Sequence, residues 1–109
     1  MSTHLERKFA DLWVHIYPQI DLHSEYKFLA NRRFKFDFAH LETKIAIEVQ
    51  GGIWMARSGH SGGTGVQKDY EKQNLASANG WRIFLLSDKD INDENVKLIG
   101  TTILESPIV

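Results

Sequence analysis

The chain has no cysteine, which excludes disulfides and thiolate metal sites and leaves oxygen and imidazole as the available ligand types. It also lacks any apolar run of membrane-spanning length, and the opening Met1–Lys8 has no apolar core of the kind a signal peptide carries. A soluble, cytoplasmic protein with no membrane partner is therefore expected. No internal repeat or linker interrupts the 109 residues, so one compact domain spanning 1–109 is expected, its 42% hydrophobic content being enough for a single core. Charge of either sign is barely in excess, with a formal net value of −1. That balance hides an asymmetry: residues 27–82 hold nine Lys and Arg against five Asp and Glu, whereas residues 88–105 hold two against five. The middle of the chain is a candidate electrostatic footprint for phosphates and the C-terminal segment its solvated far side, although an imbalance of this size also arises as ordinary surface variation.

What is present is punctuated in a regular way. Leu5, Phe9, Leu12, Trp13 and Ile16 recur at helical spacing, with Ser2 or Thr3 available as cap and Pro18 ending the run. A short first strand is expected over 26–29, a second over 34–39 and a third over 44–50, the last two joined by a polar turn near 41–43. Gly51 to Gly65 reads as a long glycine-rich loop, and a loop of that length in so small a domain is more often functional than idle. A second helix is expected over 66–79, stopped by Gly80, then an apolar strand over 81–86 in which Trp81, Ile83 and Leu85 are core, then a final helix over 92–104. The order predicts an α/β sandwich, a mixed central sheet flanked by helices.

The most informative feature is Asp37 followed, after ten intervening residues, by Glu48-Val49-Gln50. The stretch Ile45–Val49 is apolar enough to be buried on both faces, and an ionised carboxylate at its end is costly unless a cation or a hydrogen-bond network compensates it. Two such carboxylates close together point to a divalent metal. The bland alternative is that each pairs with Arg32, Arg33 or Lys44 in a strand-edge salt bridge.

This pattern resembles the PD-(D/E)XK nuclease superfamily, with Gln50 where the third motif residue is normally Lys. More narrowly, Glu48-Val49-Gln50-Gly51-Gly52-Ile53-Trp54, then His60, Gly63 and Gly65, then Glu71-Lys72-Gln73-Asn74 and Gly80-Trp81-Arg82-Ile83 look like the small phage endonuclease-like proteins related to very-short-patch repair endonucleases. The resemblance covers roughly residues 31 to 87. It implies a restriction-endonuclease-like α/β sandwich in which Asp37, Glu48 and the Val49 carbonyl hold Mg2+, with Mn2+ able to substitute, because hard cations take oxygen ligands. It also implies that Glu6, an acid on the first helix, completes the metal site; the alternative for Glu6 is an exposed residue in an i,i+4 pair.

Gln50 can orient a water or a phosphate through its amide but adds no positive charge. Lys72 is the first candidate to replace the motif lysine and Lys68, four residues earlier on the same helix, the second; otherwise both are solubilising surface residues. His60, by its place in the resemblance, is a candidate general acid or base or a phosphate contact. Trp54 is either core or a base-stacking group, and Gly62, Gly63 and Gly65 either admit a phosphate to backbone amides or are merely flexible. Arg32, Arg33, Arg57, His60 and Lys68 are the candidate DNA contacts. The combined expectation is a magnesium-dependent DNA endonuclease, acting as a homodimer if both strands are cut, with a phage, homing, nicking or repair role. A Holliday-junction resolvase and a catalytically inactive DNA-binding module are the alternatives.

Overall fold

The computed structural model describes residues 3–51 and 64–109, the second segment with side chains from residue 67 onward. Its elements follow the expected order: α1 (His4–Ile16), β1 (His23–Lys27), β2 (Lys35–His40), β3 (Ile45–Gln50), α2 (Thr64–Ala78), β4 (Arg82–Ser87) and α3 (Asp93–Glu105). The strands form one sheet in the order β1-β2-β3-β4. β1 and β2 are antiparallel, as are β2 and β3, while β3 and β4 are parallel with α2 as the crossover. The sheet is thus mixed, as expected.

Local chemistry explains where the elements begin and end. Thr3 caps α1, its hydroxyl oxygen accepting the Glu6 backbone N–H at 3.1 Å. Asn92 caps α3 in the same way toward Asn95 N–H, and Asp93 and Glu94 in the first turn suit the positive end of the helix dipole. α2 ends in a full Schellman motif: Gly80 has φ +82°, its N–H reaches the Ser77 carbonyl at 3.0 Å, and Trp81 N–H reaches the Ala76 carbonyl at 3.0 Å. Trp81 and Ala76 then share a buried cluster.

The first strand departs from expectation. It runs from His23 to Lys27, leaving Phe28 and Leu29 outside it. Phe28 instead stacks on Phe36 with centroids 4.2 Å apart, so the apolarity that suggested a strand at 28 is spent on packing against the next strand. α2 also starts earlier than expected, so that Gly65 lies within the helix rather than the loop.

The sheet separates two clusters. On one face, Phe9 and Trp13 of α1 and Val96, Ile99 and Ile103 of α3 pack against Ile45, Ile47, Val49 and Leu86. On the other, Ala76 of α2 and Trp81 pack against Phe36, Ala39 and Ala46. Ile45 to Val49 are buried throughout, and each large side chain removed from water here contributes about 1.5–3 kcal/mol. Covered on both faces in this way, β3 carries Glu48 into the interior.

Candidate functional site

β2 breaks the alternation of a regular strand at Asp37. Phe36 belongs to the cluster under α2 and Phe38 to the cluster under α1, although residues two apart on a strand normally share a face. Opposite this point in the β1 register, Glu25 has φ 49°, in the left-handed region. The β2–β3 ladder is paired from His40↔Ile45 to Phe38↔Ile47 and goes no further. Beyond it the Asp37 carboxylate takes the place of a backbone partner, accepting the Val49 N–H at 2.7 Å. The strands part where the two acids lie, and a side chain closes the gap.

Glu48, 5% exposed, is the one charged side chain among the described residues that is buried. Its Oε1 accepts a hydrogen bond from Lys72 Nζ on α2, in an ion pair that is itself largely shielded from solvent. The Lys72 ammonium also stands 5.7 Å from the centroid of the Phe36 ring. Burial pushes the Glu48 carboxyl up to about 7; Lys72 opposes the shift, and neighbouring Asp37 adds to it by charge and hydrogen bond. Two carboxylates against one ammonium leave the centre short of positive charge. The oxygen-only donor set, Asp37 and Glu48 with the backbone between them, fits a hard divalent cation.

A cleft of about 220 Å³ opens beside this centre, lined by Glu48, Gln50, Asp69, Tyr70, Lys72, Gln73 and Leu85. A larger cleft of about 440 Å³ lies by the β2–β3 turn, at the other end of β3, and is lined by His40, Thr43 and Ile103 among others; neither carboxylate of the pair is part of it.

The residues singled out in the sequence separate clearly. Asp37, Glu48, Gln50 and Lys72 come together. Lys68, one turn before Lys72, is exposed and makes no ion pair with a described residue. Glu6 is engaged elsewhere, its carboxylate accepting the Thr3 hydroxyl at 3.3 Å, and no third carboxylate or imidazole joins Asp37 and Glu48 among the described residues. The strand-edge salt bridges offered as the bland alternative do not form: Arg32 pairs with Glu71 at 2.5 Å, Lys44 donates to the Asn79 carbonyl at 2.7 Å, and Glu48 takes Lys72. Arg33 is exposed. Trp54, Arg57, His60, Gly62 and Gly63 lie outside the described residues.

Three cleft residues escaped the sequence reading, and one was misassigned. Asp69 and Gln73 follow from Lys72 by helical spacing (i, i+3, i+4), continued by buried Ala76 at i+7, and could have been found that way. Tyr70 carried no such signal. Leu85, expected in the core, is 58% exposed: it pairs in register with Glu48 on the outermost strand β4, past the part of the sheet that Ala76 and Trp81 cover.

No protein-family model matches the chain, and no curated protein matches it. Among solved structures, the catalytic domain of the homing endonuclease I-Bth0305I superimposes with a TM-score of 0.64 over 93% of each chain, at 24% sequence identity. The chain shares the fold of that domain. At that level of identity the likeness concerns the path of the backbone, and the residues of the centre rest on their own geometry. Among the described residues, no helix is long and apolar enough to cross a membrane.

Proposed function

We propose that the chain is a metal-dependent DNA endonuclease, hydrolysing a phosphodiester bond by direct attack of water, with Mg2+ as the expected ion and Mn2+ as a substitute. The observation that carries this reading is the meeting of Asp37 and Glu48 where β2 and β3 part, with Lys72 reaching Glu48 from α2. The nuclease fold is consistent with it.

A divalent cation held by Asp37 and Glu48 would activate the attacking water and screen the phosphoryl oxygens. The protein's own groups do the rest. Asp37 holds one carboxylate oxygen on Val49 N–H, which fixes the orientation of the other. Gln50, exposed at the end of β3 and on the cleft wall, offers an amide that orients the water or a phosphoryl oxygen. Lys72 carries the positive charge that Gln50 lacks, and it stabilises the charge developing on the phosphorus-bound oxygens. His60 and Arg57 remain proposed contacts to the leaving oxygen and to backbone phosphate, with Arg33 a further phosphate contact. A homodimer, one centre per protomer, is the simplest arrangement for cutting two strands.

The test is cleavage of labelled duplex, mismatched duplex and four-way junction in magnesium. Asp37→Asn and Glu48→Gln should abolish cleavage while leaving thermal unfolding cooperative. The side-chain carbonyl introduced by Asp37→Asn can still accept the Val49 N–H, but an amide lacks the anionic oxygen a hard cation requires. Unchanged turnover in both variants at saturating magnesium would remove the assignment. Preference for the junction over both duplexes would make the enzyme a resolvase using the same centre.

A further inference from the structure

Two apolar side chains stand at the catalytic cleft without a part in hydrolysis. Tyr70 on α2 is 64% exposed and Leu85 on β4 is 58% exposed, and both line the same cleft as Glu48 and Gln50. Neither packs in the clusters on the two faces of the sheet. Leu85 is the register partner of Glu48, and Tyr70 shares the cleft wall with Lys72 and Gln73, so both side chains border the space beside the centre.

The cleft's size and charge narrow what fits. Its volume of about 220 Å³ is below the roughly 300–1,000 Å³ of a pocket that encloses a whole small molecule, so it suits one unit of a larger ligand. Of its charged lining, Glu48 and Lys72 pair with each other at the centre, where the phosphodiester would sit, and leave Asp69, which disfavours a second anion in the rest of the cleft. Gln50 and Gln73 add amide donors and acceptors. A flat, neutral, partly polar group meets all of these conditions.

We propose that Tyr70 and Leu85 form the seat for one nucleobase adjoining the scissile phosphodiester, the tyrosine ring lying against the base and the leucine against its edge or the deoxyribose. This rests on the nuclease reading and names a substrate contact for it. Base–aromatic stacking tolerates any sequence because every base has a π-face; the seat therefore positions the strand rather than selecting a sequence, and Gln50 and Gln73 add any preference at that one position.

The test is binding of duplexes in calcium, with an abasic site moved one position at a time across the nucleotides flanking the cleavage site. Tyr70→Ala should weaken binding to intact duplex by about fivefold to a hundredfold, the size of one lost base-stacking contact, and Tyr70→Phe should restore it. At one abasic position the wild type should lose the same factor and Tyr70→Ala should lose nothing more, the non-additivity of a contacting pair. A 2-aminopurine at that position should be quenched by the wild type and not by Tyr70→Ala. Leu85→Ala, at an exposed position, should raise KM with little change in kcat. Equal losses for Tyr70→Ala on intact and on every abasic duplex, or no loss at all while the wild type binds and cleaves, would overturn the seat and leave the nuclease reading intact. A wild type that neither binds nor cleaves DNA would overturn both.

Discussion

At the residue scale, the centre depends on Glu48 being buried beside one cation and one further acid. The wild-type chain free of metal should become less stable as pH rises from about 5 to 8. The native carboxyl holds its proton to about 7 whereas the ordinary value is 4.5; between those values the native state binds more protons than the unfolded one, so stability falls with rising pH, by on the order of 3 kcal/mol in all. Denaturant unfolding in chelator across that window should show the slope in wild type and its loss in Glu48→Gln. An equal slope in both would place the titration elsewhere. Lys72→Met tests the other half of the pair: cleavage should slow by at least roughly a hundredfold, the loss expected when one preorganised electrostatic group is removed, with binding much less affected. If Lys68→Met is inactive and Lys72→Met normal, the charge comes from the exposed lysine one turn away; if both are normal, no lysine on α2 has taken the motif role.

At the scale of elements, two glycines hold the frame for different reasons. Gly80 is needed for its backbone. Its φ is +82° and an added Cβ would meet only Lys44 Cδ at 3.9 Å, so Gly80→Ala should cost about 1–2 kcal/mol of left-handed strain and no side-chain change should relieve it. Gly100 on α3 is needed for space, because an added Cβ would lie 2.1 Å from the ring of Tyr17, whose hydroxyl donates to the Lys97 carbonyl at 3.2 Å. Gly100→Ala should cost about 1–3 kcal/mol by overpacking, more than the roughly 1 kcal/mol that alanine gains in helix propensity. Trimming the ring with Tyr17→Leu should recover part of that loss. Thermal unfolding of the two single variants and the double variant separates the mechanisms.

At the scale of the whole molecule, the proposed endonuclease would have one centre for one phosphodiester, and a small α/β unit has little surface with which to reach a second strand. A supercoiled plasmid should therefore pass through a nicked circle before becoming linear, with the linear fraction rising with protein concentration if two protomers act together. A linear product formed without a nicked intermediate at the lowest protein concentrations would point to a preformed dimer, and nicked circle alone at every concentration to a nicking enzyme. Binding should also weaken with salt in a way that reflects the uneven charge along the chain: Arg33→Ala should reduce the salt slope by about 0.9, one phosphate contact, and Arg32→Ala by less, since Arg32 is already committed to Glu71.

Much of this was legible in the residues alone. Apolar periodicity and caps are local, and they set the order of helices and strands, the end of α2 at Gly80 and the burial of 45–49 without reference to the rest of the chain. The closeness of Asp37 and Glu48 was readable too, and so was the need of a buried carboxylate for a compensating partner. The identity of that partner was not. The residues offered Arg32, Arg33 or Lys44 as ion-pair partners, and Lys72 ahead of Lys68 only as the replacement for the motif lysine; the packing of α2 across the sheet brings Lys72 to Glu48 and sends Arg32 to Glu71. Likewise the pattern of β4 says that Leu85 is apolar, but not that the cover over its face stops short of it. Hydrophobicity along a chain is a property of each residue, whereas exposure depends on what other elements cover. Tertiary structure alone therefore decided which lysine faces the carboxylate and which leucine faces solvent.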